Sequence, residues 1–171
     1  MKFENKVVVI TGAGSGGRAC AAEFAKEGAQ IVIADINLKA AEETVQLIKT
    51  SGGVAVSVEA DVSAPASVQN LVKETIANFS VVHALVNNAA IQVNKTIEDT
   101  SFEEWNQQLS INLGGVFLCS KYFLPHLRQT KGSIVNMSSV NGFFVEPTCA
   151  GYCAAKAGII GLTKAMAIDR A

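Results

Sequence analysis

The sequence has few charged residues and no surplus of either sign. Among its 171 residues, Lys and Arg number 14 and Asp and Glu number 15, so the net charge is -1. Charged residues make up 17% of the chain, below the roughly 25% of typical globular domains. Because no basic run or stripe is present, a nucleic-acid partner is not expected. The low charge fraction favours a surface that is partly covered by a partner subunit or by further chain.

Long apolar runs and targeting segments are also lacking. No apolar run approaches the ~18 residues that a membrane-spanning helix needs. The first residues lead directly into the strand-like run Val7–Ile10, which resembles neither a signal peptide nor a transit peptide. We therefore expect a cytoplasmic protein without a membrane partner.

Cysteine and histidine are too scattered to predict a metal site. The 4 cysteines include no C-x-x-C pair, and His83 and His126 lie far apart, so no metal is expected. Cys149 and Cys153 are four residues apart, which would place them on one face of a helix. A redox or metal role for that pair is the alternative to the favoured interpretation, which is buried, reduced thiols.

Short β-branched runs alternate with helical patterns along the whole chain. Strands are predicted over Lys6–Thr11, Ile31–Asp35, Val54–Glu59, His83–Asn87 and Gly132–Ser138. Helices are predicted over Arg18–Glu27, Leu38–Thr50, Pro65–Phe79, Phe102–Leu127 (broken or bent near Gly114 and Gly115) and Ala150–Asp169. This alternation predicts an α/β fold, a Rossmann-like doubly wound parallel sheet. No linker or repeat divides the chain, so residues 1–171 are expected to form a single domain.

A glycine-rich turn follows the first predicted strand. Gly12, Gly14 and Gly17 satisfy G-x-G-x-x-G in the strand-turn-helix context that this motif requires. Glycines let the backbone approach a diphosphate, and the helix N-terminus supplies N–H donors and a partial positive charge. The turn, with Ser15 and Gly16, is therefore predicted to bind a dinucleotide. The alternative is a merely tight turn.

An acidic residue, Asp35, ends the second predicted strand. A carboxylate there can accept hydrogen bonds from adenosine ribose hydroxyls and would repel a 2′-phosphate. Its neighbours Ile36 and Asn37 supply no cation to neutralise such a phosphate. We therefore expect NAD as the cofactor rather than NADP. The alternative is that Asp35 only caps the following helix.

Taken together, these motifs resemble the short-chain dehydrogenase/reductase family from Lys6 to the end of the chain. Further matching motifs are Asp61-Val62, Asn87-Asn88-Ala89-Ala90, Asn112 within Ile-Asn-Leu, Ser139 and Tyr152-Cys153-Ala154-Ala155-Lys156. The resemblance implies the strand order 3-2-1-4-5. It also implies that the cofactor site includes Asp61, Val62, Asn88, Ala89, Ala90, Tyr152 and Lys156, beside the glycine turn, Asp35 and Ile36.

The resemblance further implies a catalytic set of Asn112, Ser139, Tyr152 and Lys156. A helix would place Tyr152 and Lys156 on one face. A tyrosine hydroxyl is ordinarily protonated at neutral pH, and a cation within ~4–6 Å favours its phenolate. Lys156 would also bind the nicotinamide ribose, Ser139 would orient the substrate oxygen, and Asn112 would hold a proton-relaying water. The expected reaction is hydride transfer between NAD(H) and a small secondary alcohol or carbonyl compound.

Two departures from the family pattern matter. Gly16 and Gly17 are adjacent, so the turn is one residue shorter than the family's Thr-Gly-x-x-x-Gly-x-Gly. Removing one residue rotates the following helix by roughly 100° and shifts it by about 1.5 Å unless the loop absorbs the change. The sequence also stops before the family's last two strands, so we expect a C-terminally truncated fold with an uncovered sheet edge.

These departures keep other functions open. A catalytically impaired or inactive fragment that only binds a dinucleotide is the main alternative, and a mononucleotide-binding domain is a more remote one. The family's long helices commonly pair across a dimer axis, which implies a homo-oligomer, a dimer or a tetramer. Phe117, Tyr122 and Phe123 would lie either at that interface or in the monomer core.

Overall fold

The computed structural model describes residues 1–169, so the last two residues of the predicted domain lie outside the described part of the chain. The strands are β1 (Val7–Thr11), β2 (Gln30–Asp35), β3 (Val54–Glu59), β4 (Ala84–Asn87) and β5 (Ser133–Asn136). The helices are α1 (Ser15–Lys26), α2 (Leu38–Thr50), α3 (Pro65–Phe79), α4 (Phe102–Leu109), α5 (Gly115–Thr130) and α6 (Ala150–Ile168). A π-helical turn, Ser110–Gly114, joins α4 to α5, and a 3₁₀ turn, Val140–Gly142, precedes α6.

The five strands form one parallel sheet in the order β3-β2-β1-β4-β5. The predicted Rossmann-like topology and strand order are thereby confirmed. Every residue of β1 is buried, as expected for a central strand covered on both faces. Because side chains alternate along a strand, Val7 and Val9 pack into one core layer, and Val8 and Ile10 pack into the other.

Helices cover the two faces of the sheet. The layer containing Val9 is closed by α3 and α5, through residues such as Leu71 and Phe123. The opposite layer is closed by α1 and α2, through residues such as Ala21 and Ile48. This sandwich leaves the carboxyl ends of the strands, and the loops that follow them, as the edge available for a ligand.

Three aromatic residues of α5 were candidates for either an interface or the monomer core. Phe123 is fully buried in the layer beneath the sheet, and Tyr122 packs against that layer. Phe117 is 48% exposed. The monomer core therefore accounts for Phe123 and Tyr122 but not for Phe117.

The main departure from the predicted boundaries is the start of α1. The sequence predicts a helix from Arg18, whereas α1 begins at Ser15, inside the glycine-rich turn. The Arg18 N–H donates to the Gly14 carbonyl at 2.9 Å, which closes a helical turn over residues that have low helix propensity. Glycine content alone had suggested a loop, but tertiary packing of the turn outweighs it.

The predicted break near Gly114 and Gly115 takes the form of the π-helical turn. A side-chain Cβ on Gly115 would come within 2.7 Å of Val62 Cγ2, so this part of the chain passes close to the loop after β3. The π-helical turn shifts the register of α5 relative to α4 and places Asn112 toward the sheet edge, fully buried.

The outer edge of β5 has no paired strand among residues 1–169. On this edge Val135 is 47% exposed and the adjoining Met137 is 40% exposed. None of the helices within that range is long and apolar enough to cross a membrane.

Candidate functional site

The glycine turn is built by close backbone packing. Gly12 has φ +84°, a left-handed conformation that favours glycine. Gly17 lies so close to the Gly12 carbonyl that a side-chain Cβ would overlap its oxygen. The shorter turn is thus absorbed by starting α1 early and by seating Gly17 beneath the loop.

The outer part of the turn presents backbone to solvent. Gly14, Ser15 and Gly16 are exposed, and they form the N-terminal end of α1. No atom lies within 4 Å of the position that a Cβ on Gly14 would occupy. Free N–H groups at a helix N-terminus, next to open space, fit the diphosphate of a dinucleotide.

Asp35 fastens the glycine turn to the end of β2. Its Oδ2 accepts from the Ala13 N–H at 2.5 Å, and its Oδ1 accepts from the Asn37 N–H at 2.8 Å. The side chain that caps α2 is Asn37, which accepts from the Ala40 N–H. The alternative that Asp35 serves only as the cap of α2 is therefore wrong.

The turn is also fastened to the loop after β4. Asn88 Nδ2 donates to the carbonyls of Thr11 and Gly12, at 3.0 and 3.2 Å. In return, Thr11 Oγ1 accepts from the N–H groups of Asn88 and Ala89. These four bonds hold the ends of β1 and β4 together at the sheet edge, so both loops form one wall.

A cleft of about 410 Å³ opens at this edge. The residues in its wall are Gly12, Gly14, Ser15, Gly16, Ala34, Asp35, Ile36, Ala60, Asp61, Val62, Asn88, Ala89, Ala90, Ile91 and Ile111. Every residue predicted for the cofactor lies in this wall except Gly17, Tyr152 and Lys156. The cleft wall therefore combines residues from the loops after β1, β2, β3 and β4 with Ile111 of the π-helical turn.

Asp61 occupies the rim of the cleft after β3. Its Oδ1 accepts from both the N–H and the hydroxyl of Ser63, at 2.9 and 2.6 Å, and its own N–H donates to Ser67 Oγ. These bonds fix the turn between β3 and α3. Asp61 and Val62 consequently face the cleft from a rigid loop.

Lys156 connects α6 to the end of β5. It is buried, and its Nζ donates to the Met137 carbonyl at 2.6 Å and lies 5.4 Å from the centre of the Tyr152 ring. Burial lowers the pKa of Lys156, because the charged ammonium loses its water. The Met137 N–H in turn donates to the carbonyl of Asn87. The next residue, Asn88, lies in the cleft wall. The Tyr152–Lys156 pair thus stands at the β5 side of the same sheet edge.

Ser139 lies in the segment between β5 and α6, directly before the 3₁₀ turn. Its Oγ accepts from the Asn141 N–H at 3.2 Å. The Ser138 hydroxyl donates to the Lys156 carbonyl at 2.8 Å, which ties this segment to α6. Ser139 and Lys156 are therefore held by adjoining pieces of backbone.

Asn112 has both amide atoms engaged. Its Oδ1 accepts from the Ile91 N–H and its Nδ2 donates to the Ile91 carbonyl, each at 2.8 Å. The side chain accordingly brackets a peptide in the cleft wall. The side chain therefore fixes the loop after β4, and the expected role of Asn112 in holding a proton-relaying water stays a prediction.

Nearly the whole sequence matches a family profile. The profile described as short chain dehydrogenase matches residues 6–171. The chain belongs to the short-chain dehydrogenase family. This membership agrees with the resemblance that the ordered motifs had indicated.

Individual relatives of this short-chain dehydrogenase are longer proteins. Meso-2,3-butanediol dehydrogenase of Serratia marcescens is 42% identical over 172 residues, covering 99% of this chain and 67% of that protein. Cyclohexanol dehydrogenase of Acinetobacter sp. strain SE19 is 40% identical, covering 99% and 69%. The solved structure of a short chain dehydrogenase/reductase from Burkholderia phymatum in complex with NAD superposes with a TM-score of 0.94 at 33% identity, covering 99% and 61%. The chain thus spans about two thirds of the length of these relatives.

Several features of this dehydrogenase site were missed by sequence reasoning. Ala34, Ala60, Ile91 and Ile111 also line the cleft. Each of them is adjacent in sequence to a predicted site residue. That adjacency is the sequence signal that could have identified them. Within residues 1–169, no three His, Cys, Asp or Glu side chains group in a way that could hold a metal ion.

Proposed function

We propose that this chain is the NAD-binding and catalytic part of an enzyme that transfers hydride between NAD(H) and a secondary alcohol or ketone. The observation that carries the proposal is the position of the Lys156 ammonium, 5.4 Å from the centre of the Tyr152 ring at the cleft-bearing sheet edge. Two relatives support the substrate class, because butanediol and cyclohexanol are both secondary alcohols.

Tyr152 is the proposed proton-transfer group. In alcohol oxidation its phenolate takes the hydroxyl proton of the substrate, and in ketone reduction its hydroxyl returns a proton to the carbonyl oxygen. Lys156 supplies a cation beside the Tyr152 ring, which offsets the negative charge on the tyrosine oxygen during the transfer. The Met137 carbonyl steadies the ammonium in this position. A buried cation acts more strongly here than in water because solvent screens it less.

Ser139 and Asn112 support this step in different ways. Since Ser139 Oγ accepts from the Asn141 N–H, its O–H proton can be directed to the substrate oxygen. We assign Asn112 as a positioning residue, because its amide holds the Ile91 peptide of the cleft wall. Both residues thus keep the reacting groups aligned, which is where much of the rate gain in such sites arises.

The cleft residues are proposed to hold the dinucleotide. The diphosphate would lie on Gly12, Gly14, Ser15 and Gly16, with Gly17 supporting the turn from beneath. The adenosine would contact Asp35, Ile36, Asp61 and Val62, and the nicotinamide half would run past Asn88, Ala89 and Ala90 toward Tyr152 and Lys156. NAD supplies the hydride acceptor or donor when it is bound. Because Asp35 bears a negative charge at the ribose end, NAD is favoured over NADP.

The alternative is a chain that binds a dinucleotide without turnover. The exposed edge of β5 favours it, because Val135 and Met137 are partly exposed in the part of the chain that the structure describes. A nucleotide-binding cleft can form from β1 to β4 alone, whereas catalysis also needs the β5 side in place. A homo-oligomer, dimer or tetramer, would cover apolar surface such as Phe117 on α5.

The decisive experiment compares two tyrosine variants. Wild-type protein is mixed with NAD and a panel of secondary alcohols that includes 2,3-butanediol and cyclohexanol, and NADH absorbance is followed. Tyr152→Phe should lower kcat by about 10²-fold or more, the usual contribution of a general acid-base group, with NAD affinity within severalfold of wild type. Tyr122→Phe alters the chain's other tyrosine, which packs against the core, and should retain turnover.

Each result has a defined meaning. Turnover that survives in Tyr152→Phe contradicts the assignment of the proton-transfer group. Wild-type protein that binds NAD by calorimetry, yet reduces none of it across the panel, supports the binding-only alternative. Tighter binding of AMP or FMN than of NAD would favour the mononucleotide-binding domain.

A further inference from the structure

Two thiols meet at the start of α6, outside the proposed proton-transfer chemistry. Cys149 precedes the first residue of α6, and Cys153 lies one turn later. Their Sγ atoms are 3.2 Å apart, and both residues are buried. Tyr152 is one of the three residues between them. A reaction that joined the two sulfurs would therefore act on the turn that carries the proposed proton-transfer group.

The two thiols lie one helical turn apart. The Cys153 N–H donates to the Cys149 carbonyl at 2.9 Å. That spacing puts their Cα atoms roughly 6 Å apart, inside the usual disulfide range of about 4.4–6.8 Å. Cβ atoms four residues apart on a helix are about 5–6 Å apart, whereas a disulfide needs about 3.5–4.5 Å, so bond formation also requires the first turn of α6 to shift.

A surface pocket gives small molecules a route to the thiols. The pocket has a volume of about 340 Å³, and both cysteines lie in its wall with Lys95 and Glu146. The pKa of the Cys149 thiol is raised, mainly by its hydrogen bond with Cys153 and to a smaller extent by burial. Cys149 is consequently held as a thiol at neutral pH, and a mildly alkaline solution would speed its reaction.

We propose that Cys149 and Cys153 form a reversible oxidation site, in which a peroxide converts the two thiols to a disulfide across the first turn of α6. One thiol loses its proton, its thiolate attacks an oxygen of hydrogen peroxide, and the O–O bond breaks; the leaving hydroxide takes up that proton, so a sulfenic acid and water are formed. The second thiol also loses its proton, its thiolate attacks the sulfenic sulfur, and the displaced hydroxide takes up the proton and leaves as water. In total the protein loses two hydrogen atoms, and a dithiol reductant returns them.

Disulfide formation changes the anchoring of the segment before α6. The Cys149 thiol donates to the Glu146 carbonyl at 3.0 Å, a bond that ends when the S–H proton is lost. Asn141 Nδ2 lies 3.8 Å from the same sulfur, and the Asn141 N–H is the donor to Ser139 Oγ. Oxidation therefore loosens residues 140–148 and disturbs Ser139. This consequence for turnover rests on the proposed function, whereas the disulfide itself does not.

A single tryptic peptide reports on the reaction. Residues 132–156 contain no internal Lys or Arg, and their only cysteines are Cys149 and Cys153. After treatment with hydrogen peroxide at mildly alkaline pH, alkylation and digestion, this peptide should be two hydrogens lighter and carry no alkyl group. Reduction with dithiothreitol should restore two alkylation sites. A treated wild-type peptide that still takes two alkyl groups, or that gains oxygen on the two cysteine sulfurs, overturns the proposal, whereas oxygen on Met137 of the same peptide has no bearing on it.

Variants and turnover complete the test. Cys149→Ser and Cys153→Ser should each abolish the loss of two hydrogens, and Cys20→Ser, on α1, should leave it unchanged. Turnover should fall severalfold on oxidation and recover with dithiothreitol. If the disulfide forms and turnover is unaltered, the proposed effect of oxidation on Ser139 is contradicted. If untreated wild-type protein shows no turnover, the proposed function fails while the peptide masses still decide the oxidation site.

Discussion

The side chain of Asn112 makes two hydrogen bonds of 2.8 Å with the backbone of a single residue, Ile91. Asn112 lies in the π-helical turn between α4 and α5, and Ile91 lies in the wall of the cleft proposed to bind the cofactor. One buried amide therefore couples an irregularity in a long helix to the loop after β4. An irregular turn in a helix often marks a functional position, and here its effect is to hold a piece of ligand-binding wall.

Removing this amide should destabilise the protein. Asn112→Ala leaves the Ile91 N–H and carbonyl without their partner, which costs about 1–3 kcal/mol for buried groups. The midpoint of thermal unfolding should fall accordingly, as measured by circular dichroism. Asn106→Ala makes the same change at an exposed position of α4 and should stay within about 0.5 kcal/mol of wild type. Equal melting temperatures for Asn112→Ala and wild type would show that the two hydrogen bonds between Asn112 and Ile91 contribute nothing to folding stability.

Two glycines of the same turn should respond differently to alanine. At Gly17 the added Cβ overlaps the Gly12 carbonyl, so Gly17→Ala should cost about 3 kcal/mol and distort the turn. At Gly14, the N-cap of α1, the Cβ meets no atom within 4 Å, so Gly14→Ala should cost at most about 1 kcal/mol, the preference of an N-cap for glycine over alanine. Gly14 lies in the cleft wall, so the added methyl group should weaken NAD binding about tenfold, or about 1.4 kcal/mol. Urea titration and calorimetry separate the two effects, and a stable Gly17→Ala protein would contradict the close packing of the shortened turn.

Much of the fold was predictable because its signals are local. Buried parallel strands produce nearly continuous β-branched runs, and the single glycine turn after β1 marks where such a sheet binds nucleotides. Spacing alone placed Tyr152 and Lys156 on one helix face. Strand order followed from family resemblance, and the sheet confirms it.

The remainder depended on contacts between distant segments. The start of α1 was predicted too late, because glycine propensity indicated a loop while packing of Gly17 on Gly12 made a helix. The hydrogen-bond partner of Lys156 is the main-chain carbonyl of Met137. Every residue has such a carbonyl, so the residue types in the sequence do not indicate which one is the acceptor. Likewise, the amide of Asn112 reaches the backbone of Ile91, and a sequence pattern carries no record of backbone acceptors.

Cofactor preference should be set by charge at Asp35. A 2′-phosphate within about 4 Å of this carboxylate would meet roughly 1–4 kcal/mol of repulsion, depending on solvent exposure. Calorimetry should therefore show NAD binding about tenfold or more tightly than NADP. Asp35→Asn should reduce this ratio of NAD affinity to NADP affinity. The control Asp61→Asn removes a carboxylate from the loop after β3 in the same cleft and should reduce the ratio less. Equal affinity of the wild type for both dinucleotides would refute the NAD assignment.

Acid sensitivity should arise at His83, at the start of the β4 ladder. The Val7 N–H donates to His83 Nδ1 at 3.0 Å, which requires that nitrogen to be unprotonated. Burial, with a smaller contribution from the charge of Lys6, lowers the pKa of His83 below its usual 6.5. As pH falls below about 6.5, the unfolded chain therefore binds a proton at His83 more readily than the folded chain does, and folding stability declines.

The His83→Asn variant tests this linkage. The asparagine carbonyl can accept from the Val7 N–H but does not titrate, so the variant should lose less stability than wild type between pH 7 and about pH 5. His126→Asn changes the other histidine and should keep the wild-type acid sensitivity, because the Val7–His83 bond is intact. Urea midpoints measured across this pH range give the comparison. If the urea midpoints of wild type and His83→Asn fall in parallel with pH, the acid sensitivity arises at other groups. The Val7–His83 hydrogen bond then does not contribute to it.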